Sequence, residues 1–339
     1  MNAILKESQM IKAVRIHAFG GPEALCFEDV LPPEPGPGEV LVRVHAAGVN
    51  PMDWKVREGQ FEALPLPRTL GTDFSGVVED LGPGVTEFFV GQPVFGRAGS
   101  GGAFAELTVA PVANLAPKPS SVDDIQAAAA PLCALTAWQA LFEMADLQRG
   151  QKILIHGGAG GVGLFAVQLA LRHGACVIAT GTGRGLSILG RLGTQQLIDH
   201  NAVRFEDAVK NVDVVLDLIG GETQNRSWKV LKNGGRLVST VSTPPQEKAL
   251  LCGVRAIKIQ TRMNTDQLSL MGDLIGNGEI QVTVEKVFPL YRAPEALELS
   301  RRGHVHGKIV LAISDPDECH PEFQQGVVER HRPQAMLAV

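Results

Sequence analysis

Two hydrophobic textures divide the chain. Between Lys12 and about Asp124, apolar positions come in short runs punctuated by Gly and Pro. Val40, Val42, Val44 and Ala46 recur with a period of two, which predicts a half-buried strand. The segment Glu34-Pro35-Gly36-Pro37-Gly38 before it cannot be helical. Residues 74–81, 92–95 and 104–109 are further strand candidates, so this part reads as a compact, mostly antiparallel β unit. From Val122 onward the rhythm changes. Asp123 or Asp124 can cap a helix over 127–141, kinked at Pro131. Strand 152–156, helix 163–173, strand 176–180, helix 186–192, strand 212–217, a helix near 225–231 and strand 235–241 follow. Strands that are apolar throughout and alternate with helices predict a parallel sheet covered on both faces. Residues 254–259 read as an edge strand and 265–275 as a helix. Strand 284–288, helix 293–300 and strand 308–312 return to the first unit. The expected division is 1–125 and 264–314 for the first unit and 126–263 for the second. Residues 1–9 and 315–339 are expected to be mobile ends.

The length of 339 residues fits two domains at about 150 residues each. A net charge of −5 supplies no broad positive field, so nucleic acid and anionic lipid are not expected partners. The five cysteines (Cys26, Cys133, Cys176, Cys252, Cys319) are scattered and never form Cys-x-x-Cys, which points to a reducing compartment. The first residues are too polar for a secretory signal, and no run reaches the roughly 18 apolar residues of a membrane span. The expectation is a cytoplasmic protein.

Gly158-Ala159-Gly160-Gly161-Val162-Gly163 fits Gly-x-Gly-x-x-Gly and lies between an apolar strand and a helix, the context in which the pattern holds phosphates. Gly158 would allow a tight turn, Gly160 the approach of a pyrophosphate, and Gly163 close packing of helix on strand. The free N–H groups and the positive helix end then attract the anion. An NAD site would carry Asp or Glu about 20 residues past this loop. Here the next strand instead ends in Thr180-Gly181-Thr182-Gly183-Arg184, where Thr182 can donate a hydrogen bond and Arg184 can pair a 2′-phosphate. NADPH is the expected cofactor, against the alternative that Arg184 is an ordinary surface arginine.

Ala47-Gly48-Val49-Asn50-Pro51-Met52-Asp53-Trp54-Lys55, Leu70-Gly71-Thr72-Asp73-Phe74-Ser75-Gly76, Leu135-Thr136-Ala137-Trp138, the phosphate loop, Asp217-Leu218-Ile219-Gly220-Gly221, Gly234-Gly235-Arg236-Leu237 and Gly307-Lys308-Ile309-Val310 follow one another in an order spanning Lys12 to Ala312. In these blocks the chain resembles the zinc-free, zeta-crystallin-like quinone oxidoreductases of the medium-chain dehydrogenase/reductase superfamily. The resemblance implies an α/β protein: a GroES-like, β-rich catalytic domain with an inserted Rossmann domain and an active site between them. Zinc relatives would carry a Cys where Asn50 stands and a His-Glu pair at Thr72-Asp73, and catalytic zinc needs about three such ligands, so no metal is expected. The chemistry then belongs to the cofactor: hydride transfer to a quinone or an α,β-unsaturated carbonyl.

By the same resemblance, Asn50 would donate to the developing oxyanion or position the ribose and nicotinamide, and Thr136 would contact the cofactor. Asn50 beside Pro51 also fits a turn-capping asparagine. Asp53 is expected to orient neighbouring backbone and not to act as an acid. Cys133 is expected to be a small buried residue. Ile219 and Val241 would line the cleft beside the cofactor, and His200 would reach its adenosine phosphate. Trp54 and Phe61 would form apolar walls, since Tyr291 is the only tyrosine. The other readings are an enoyl or alkenal reductase of a biosynthetic pathway and a non-catalytic NADPH-binding protein, because a fold does not fix a function. The edge strand at 254–259 suggests a homodimer paired across a two-fold axis.

Overall fold

A computed structural model of the chain describes residues 10–61, 65–99 and 101–313; the ends expected to be mobile, 1–9 and 315–339, lie outside them. The first strands are β1 (Ile11–Ile16), β2 (Leu25–Val30), β3 (Glu39–Val49), β4 (Arg68–Thr69), β5 (Asp73–Leu81), β6 (Pro93–Arg97), β7 (Leu107–Pro111) and β8 (Leu115–Pro117). The second series is β9 (Lys152–His156), β10 (Cys176–Gly181), β11 (Gln196–Asp199), β12 (Val212–Asp217), β13 (Leu231–Ser239) and β14 (Arg255–Lys258); β15 (Val284–Pro289) and β16 (Lys308–Ala312) close the chain.

Late strands join early ones in one mixed sheet, ordered β15-β16-β3-β5-β6-β8, with β7 also paired to β3. Strand β3 alternates as its sequence requires. Val40, Val42 and Val44 are buried in a cluster with Phe74, Phe104 and Leu297, while Arg43 of the same strand is exposed and bonded to Glu79. A smaller sheet, β2-β1-β4, lies beside it.

The remaining six strands form a parallel sheet in the order β11-β10-β9-β12-β13-β14. Both faces are covered, and β9 shows how. Ile153 and Ile155 enter a cluster with Leu164 and Leu268, while Leu154 between them joins Phe205, Trp228 and Ala249 on the other face. Strand order reverses between β9 and β12. The carboxyl ends there open a crevice, the place where such sheets bind ligands.

Several boundaries move, for local reasons. The helix expected at 127–141 is three pieces: Asp124–Ala129, Pro131–Trp138 and a π-helical turn, Gln139–Met144. Pro131 has no N–H to continue the first piece and its ring crowds the preceding turn. Asp123, not Asp124, is the cap, accepting from the Gln126 N–H at 2.7 Å. Asp124 instead binds His45 and Ser75. The helices expected at 163–173, 186–192 and 225–231 begin earlier, at Gly161, Gly183 and Gly221. Glycine is tolerated in a first helical turn, and Gly183 and Gly221 have positive φ there. Strand β13 starts at Leu231, four residues before the expected start. Phe104, expected in a strand, lies before β7, with its N–H given to the Leu70 carbonyl.

Candidate active site at the sheet junction

The turn after β9 has the packing its glycine pattern predicts, with one correction. Positive φ falls on Gly157, not Gly158; Gly158 is instead held close to Ala179, whose Cβ would lie 2.9 Å from a Cβ added there. Gly163 allows the helix Gly161–Arg172 to pack, since a Cβ would meet the Gly157 and Gly158 carbonyls at 2.3 and 2.6 Å. Gly160 differs: among the described residues beyond its chain neighbours, the only atom within 4 Å of an added Cβ is the Gly157 oxygen, at 3.4 Å. That open space lies at the N-terminal end of the helix, where unpaired N–H groups favour an anion. The loop is also tied to the other sheet. Gly160 and Gly307 form a parallel β-bridge, and the Gly307 N–H donates to the Ala159 carbonyl at 3.0 Å.

Beneath the loop a buried polar row crosses four strands. Register creates it: Ile309 faces Val49, Gly48 faces Asp73, and Asp73 faces Arg97. The Lys308 ammonium, in a residue only 4% exposed, donates to the Val49 carbonyl at 2.9 Å and to Asn50 Oδ1. Asn50, 1% exposed, donates from Nδ2 to Asp73 Oδ2 at 2.9 Å. The amide orientation is therefore fixed, oxygen toward the cation and nitrogen toward the anion. Asp73 also accepts the Leu132 N–H at 3.1 Å, and the Arg97 guanidinium stands 3.5 Å from it. Cys133 and the Lys308 stem both flank Gly161, about 3 Å from where its Cβ would be. Burial pushes the Cys133 thiol up, opposed by the Lys308 charge.

Asp53 takes the backbone N–H of Asn50 at 2.7 Å, so it does orient that turn. Its acidity nevertheless departs from the usual carboxylate range. Burial raises its carboxyl to about 7; the Asn50 N–H opposes this, Asp73 adds to it, and Lys308 and Arg97 pull it down. The sequence held no sign of this because desolvation is a property of the folded surroundings. The helix Pro51–Arg57 carrying these residues is anchored at its far end by Arg57, fully buried and bound to Glu298 and Glu58.

Two loops complete the crevice. Asp217, at the end of β12, accepts from the Ile219 and Gly220 N–H groups, from Gln224 and from the Ser239 hydroxyl. Ser239 in turn accepts the Val241 N–H. One buried carboxylate thus sets both loops, leaving the Ile219 and Val241 side chains about half exposed. Ile219 reaches Gly157, and Val241 lies against Gly220.

His156, directly before the phosphate loop, is buried between Ser227 at 3.0 Å and Thr180 at 3.4 Å. Ser227 spends its proton on the Thr223 carbonyl, so it accepts from His156 Nε2–H; Thr180 accepts the Gly157 N–H and gives its proton to Nδ1. Burial holds this neutral imidazole down at about 4. The unfolded chain takes up that proton near 6.5, so the native state loses stability through this group as pH falls from 6.5 toward 4. Asp53 works in the opposite direction between about 7 and 3.8 and masks the effect in the wild type alone. The stability gap between wild type and His156→Asn is therefore expected to narrow by about 3 kcal/mol between pH 7.5 and 4. Chemical denaturation of both proteins across that range checks it; a constant gap would show that His156 does not titrate this way.

The other sequence-predicted residues are spread around this centre. The Thr136 hydroxyl donates to the Leu132 carbonyl and lies 2.7 Å from that of Thr261. Trp54 packs partly into the first core, and its Nε1 is buried without a partner among the described residues, so it is less a free wall than Phe61, which is exposed. Thr182 precedes the helix Gly183–Arg191. Arg184 is exposed and stands 3.4 Å from Glu285. His200 is exposed; its N–H donates to the Gly181 carbonyl at 3.3 Å, beside Thr182. Sequence reasoning assigned no role to Lys308, Asp73, Arg97, Asp217 or Ser239. The available signal was a charged residue set in an otherwise apolar strand, as Lys308 stands before Ile309-Val310-Leu311.

Residues 36–120 match the alcohol dehydrogenase GroES-like domain, and residues 192–311 match the domain described as zinc-binding dehydrogenase. Among the described residues, no three His, Cys, Asp or Glu side chains are grouped as metal ligands. The chain is 31% identical to the quinone oxidoreductase of Mus musculus over 327 residues, covering 90% of this chain and 98% of that one. A solved quinone oxidoreductase from Coxiella burnetii is 35% identical with a TM-score of 0.85, covering 90% of this chain and 99% of that one. The Escherichia coli quinone oxidoreductase, solved in complex with NADPH, is 28% identical with a TM-score of 0.83, covering 89% and 100%. The chain belongs to the zinc-free quinone oxidoreductases of the medium-chain dehydrogenase/reductase superfamily.

Proposed function

We propose that this protein is an NADPH-dependent reductase of quinones. The observation that carries the reading is the meeting of the open phosphate loop at Gly160 with the buried row Lys308–Asn50–Asp73 at one junction. The residues present fit the cofactor: a glycine cradle at a helix N-terminus, Thr182 and Arg184 at the next turn, and no carboxylate at the end of β10. When bound, NADPH supplies the hydride. Asn50, with Lys308 behind its oxygen, polarises the site toward negative charge gathering on the substrate oxygen. Asp53, whose burial raises its carboxyl to about 7, is the group we assign to balance that charge. Phe61, Ile219 and Val241 offer apolar surface to a flat substrate. In this reading 126–263 is the nucleotide-side unit, and the segments on either side of it form the substrate side.

The test is NADPH consumption with a panel of quinones, enones and enoyl thioesters. Turnover of quinones supports the reading, turnover confined to enones or thioesters replaces it with the reductase alternative, and nucleotide binding without turnover on any substrate replaces it with a binding protein. We also propose a cytoplasmic homodimer. Cys26, Cys133, Cys176 and Cys252 are free thiols. Among the described residues strand β14 is an unpaired sheet edge, and Leu250 and Leu251 beside it are almost fully exposed. A concentration-independent monomer mass in solution, or a cell fraction other than cytosol, would remove the corresponding part.

A further inference from the structure

No carboxylate ends β10, but one from elsewhere in the fold reaches the turn that follows it. Glu285, on β15, reaches the turn that follows β10: its two oxygens lie 3.4 and 3.5 Å from Arg184 Nη1. His306 stands behind it. The His306 Nδ1 is 3.7 Å from the same carboxylate, and its ring lies over Gly185, where an added Cβ would meet it at 3.0 Å. Gly185 in turn abuts Ala159 of the phosphate loop. Glu285 and His306 therefore come from the substrate side and close around the turn Thr182-Gly183-Arg184, where the nucleotide's adenosine half is expected. Side chains of Glu285 and His306 are about one-quarter and one-fifth exposed, against 65% for Arg184, so the carboxylate is the more fixed partner.

This arrangement carries a conflict. Arg184 was read as the group that pairs a 2′-phosphate, yet it already faces an anion, and a phosphate arriving there meets that anion too. With Arg184 shared between two anions, NADPH would bind more weakly, while NADH, which lacks the phosphate, would be untouched. A carboxylate at this turn is also what an NAD site uses to accept from ribose hydroxyls. We propose that Glu285 is a specificity-determining residue that competes with the 2′-phosphate of NADPH for Arg184 and so narrows the preference for NADPH over NADH. The inference rests on the reading that NADPH binds here with Arg184 at its 2′-phosphate.

The experiment is a double-mutant cycle read by fluorescence titration with NADPH and with NADH, using wild type, Glu285→Gln, Arg184→Ala and the double variant, each checked for folding by circular dichroism. Glu285→Gln is expected to tighten NADPH about fivefold, the scale of a partly exposed ion pair, and to leave NADH unchanged or weaker. In the Arg184→Ala background that gain should vanish. If Arg184→Ala weakens NADPH while Glu285→Gln changes nothing, or tightens both nucleotides equally, the role of Glu285 is wrong and the cofactor reading stands. If Arg184→Ala leaves NADPH affinity unchanged, the reading of Arg184 fails and the role of Glu285 falls with it.

Discussion

Gly160→Val is expected to abolish nucleotide binding while the protein still folds. The backbone at Gly160, with φ −78° and ψ 177°, lies in the extended region that valine favours. An added Cβ meets only the Gly157 oxygen, at ordinary contact distance. That first side-chain carbon meets no clash, so the melting temperature is expected to stay within a few degrees of wild type. The isopropyl group instead fills the space in front of the helix N-terminus, where a pyrophosphate has to approach the bare backbone. Affinity should fall at least about 100-fold, or roughly 3 kcal/mol. Gly163→Ala supplies the contrast. Its Cβ would lie 2.3 Å from a backbone carbonyl, so that variant should lose stability, by about 1–3 kcal/mol for overpacking. Titration and thermal melting of both variants separate a binding glycine from a packing one. Wild-type affinity in Gly160→Val would mean that the nucleotide phosphates lie elsewhere.

Asn50→Ala should lower turnover by about 100-fold, the scale of losing one preorganised donor, while nucleotide affinity changes only a few-fold. The amide is buried between a cation and an anion and touches neither the phosphate loop nor the turn at Thr182. Its loss leaves Lys308 with the Val49 carbonyl but without the amide oxygen, so some stability is lost as well. Turnover must therefore be compared at a temperature where circular dichroism shows the variant folded. Full turnover on every accepted substrate would make Asn50 a turn residue and nothing more.

What could be read in advance followed from periodicity and local chemistry. The apolar runs at β9, β10 and β12, the glycines between them and the absent acid after β10 all lie within short stretches of chain. The polar row did not. Lys308 and Asn50 are 258 positions apart and meet only because β16 pairs with β3 in one particular register. Glu285 reaches Arg184 across 101 positions for the same kind of reason. Asp53 looked ordinary because its acidity depends on being sealed from water. Helix starts were placed too late because glycines were read as loop residues, whereas at Gly161, Gly183 and Gly221 they open the helices.

The bridge between Gly160 and Gly307 bears on how such proteins can be recombined. A nucleotide unit grafted from a relative brings its own phosphate loop, but that loop must find the partner strand of the host at Gly307. Position 307 has φ +85°, and a side chain there would run into the Thr283 carbonyl at 2.1 Å. A chimera joined at the obvious linkers therefore inherits a seam at a point far from both junctions. Swaps that carry the segment from Thr283 to Lys308 together with the nucleotide unit should yield soluble hybrids more often than swaps that leave it behind.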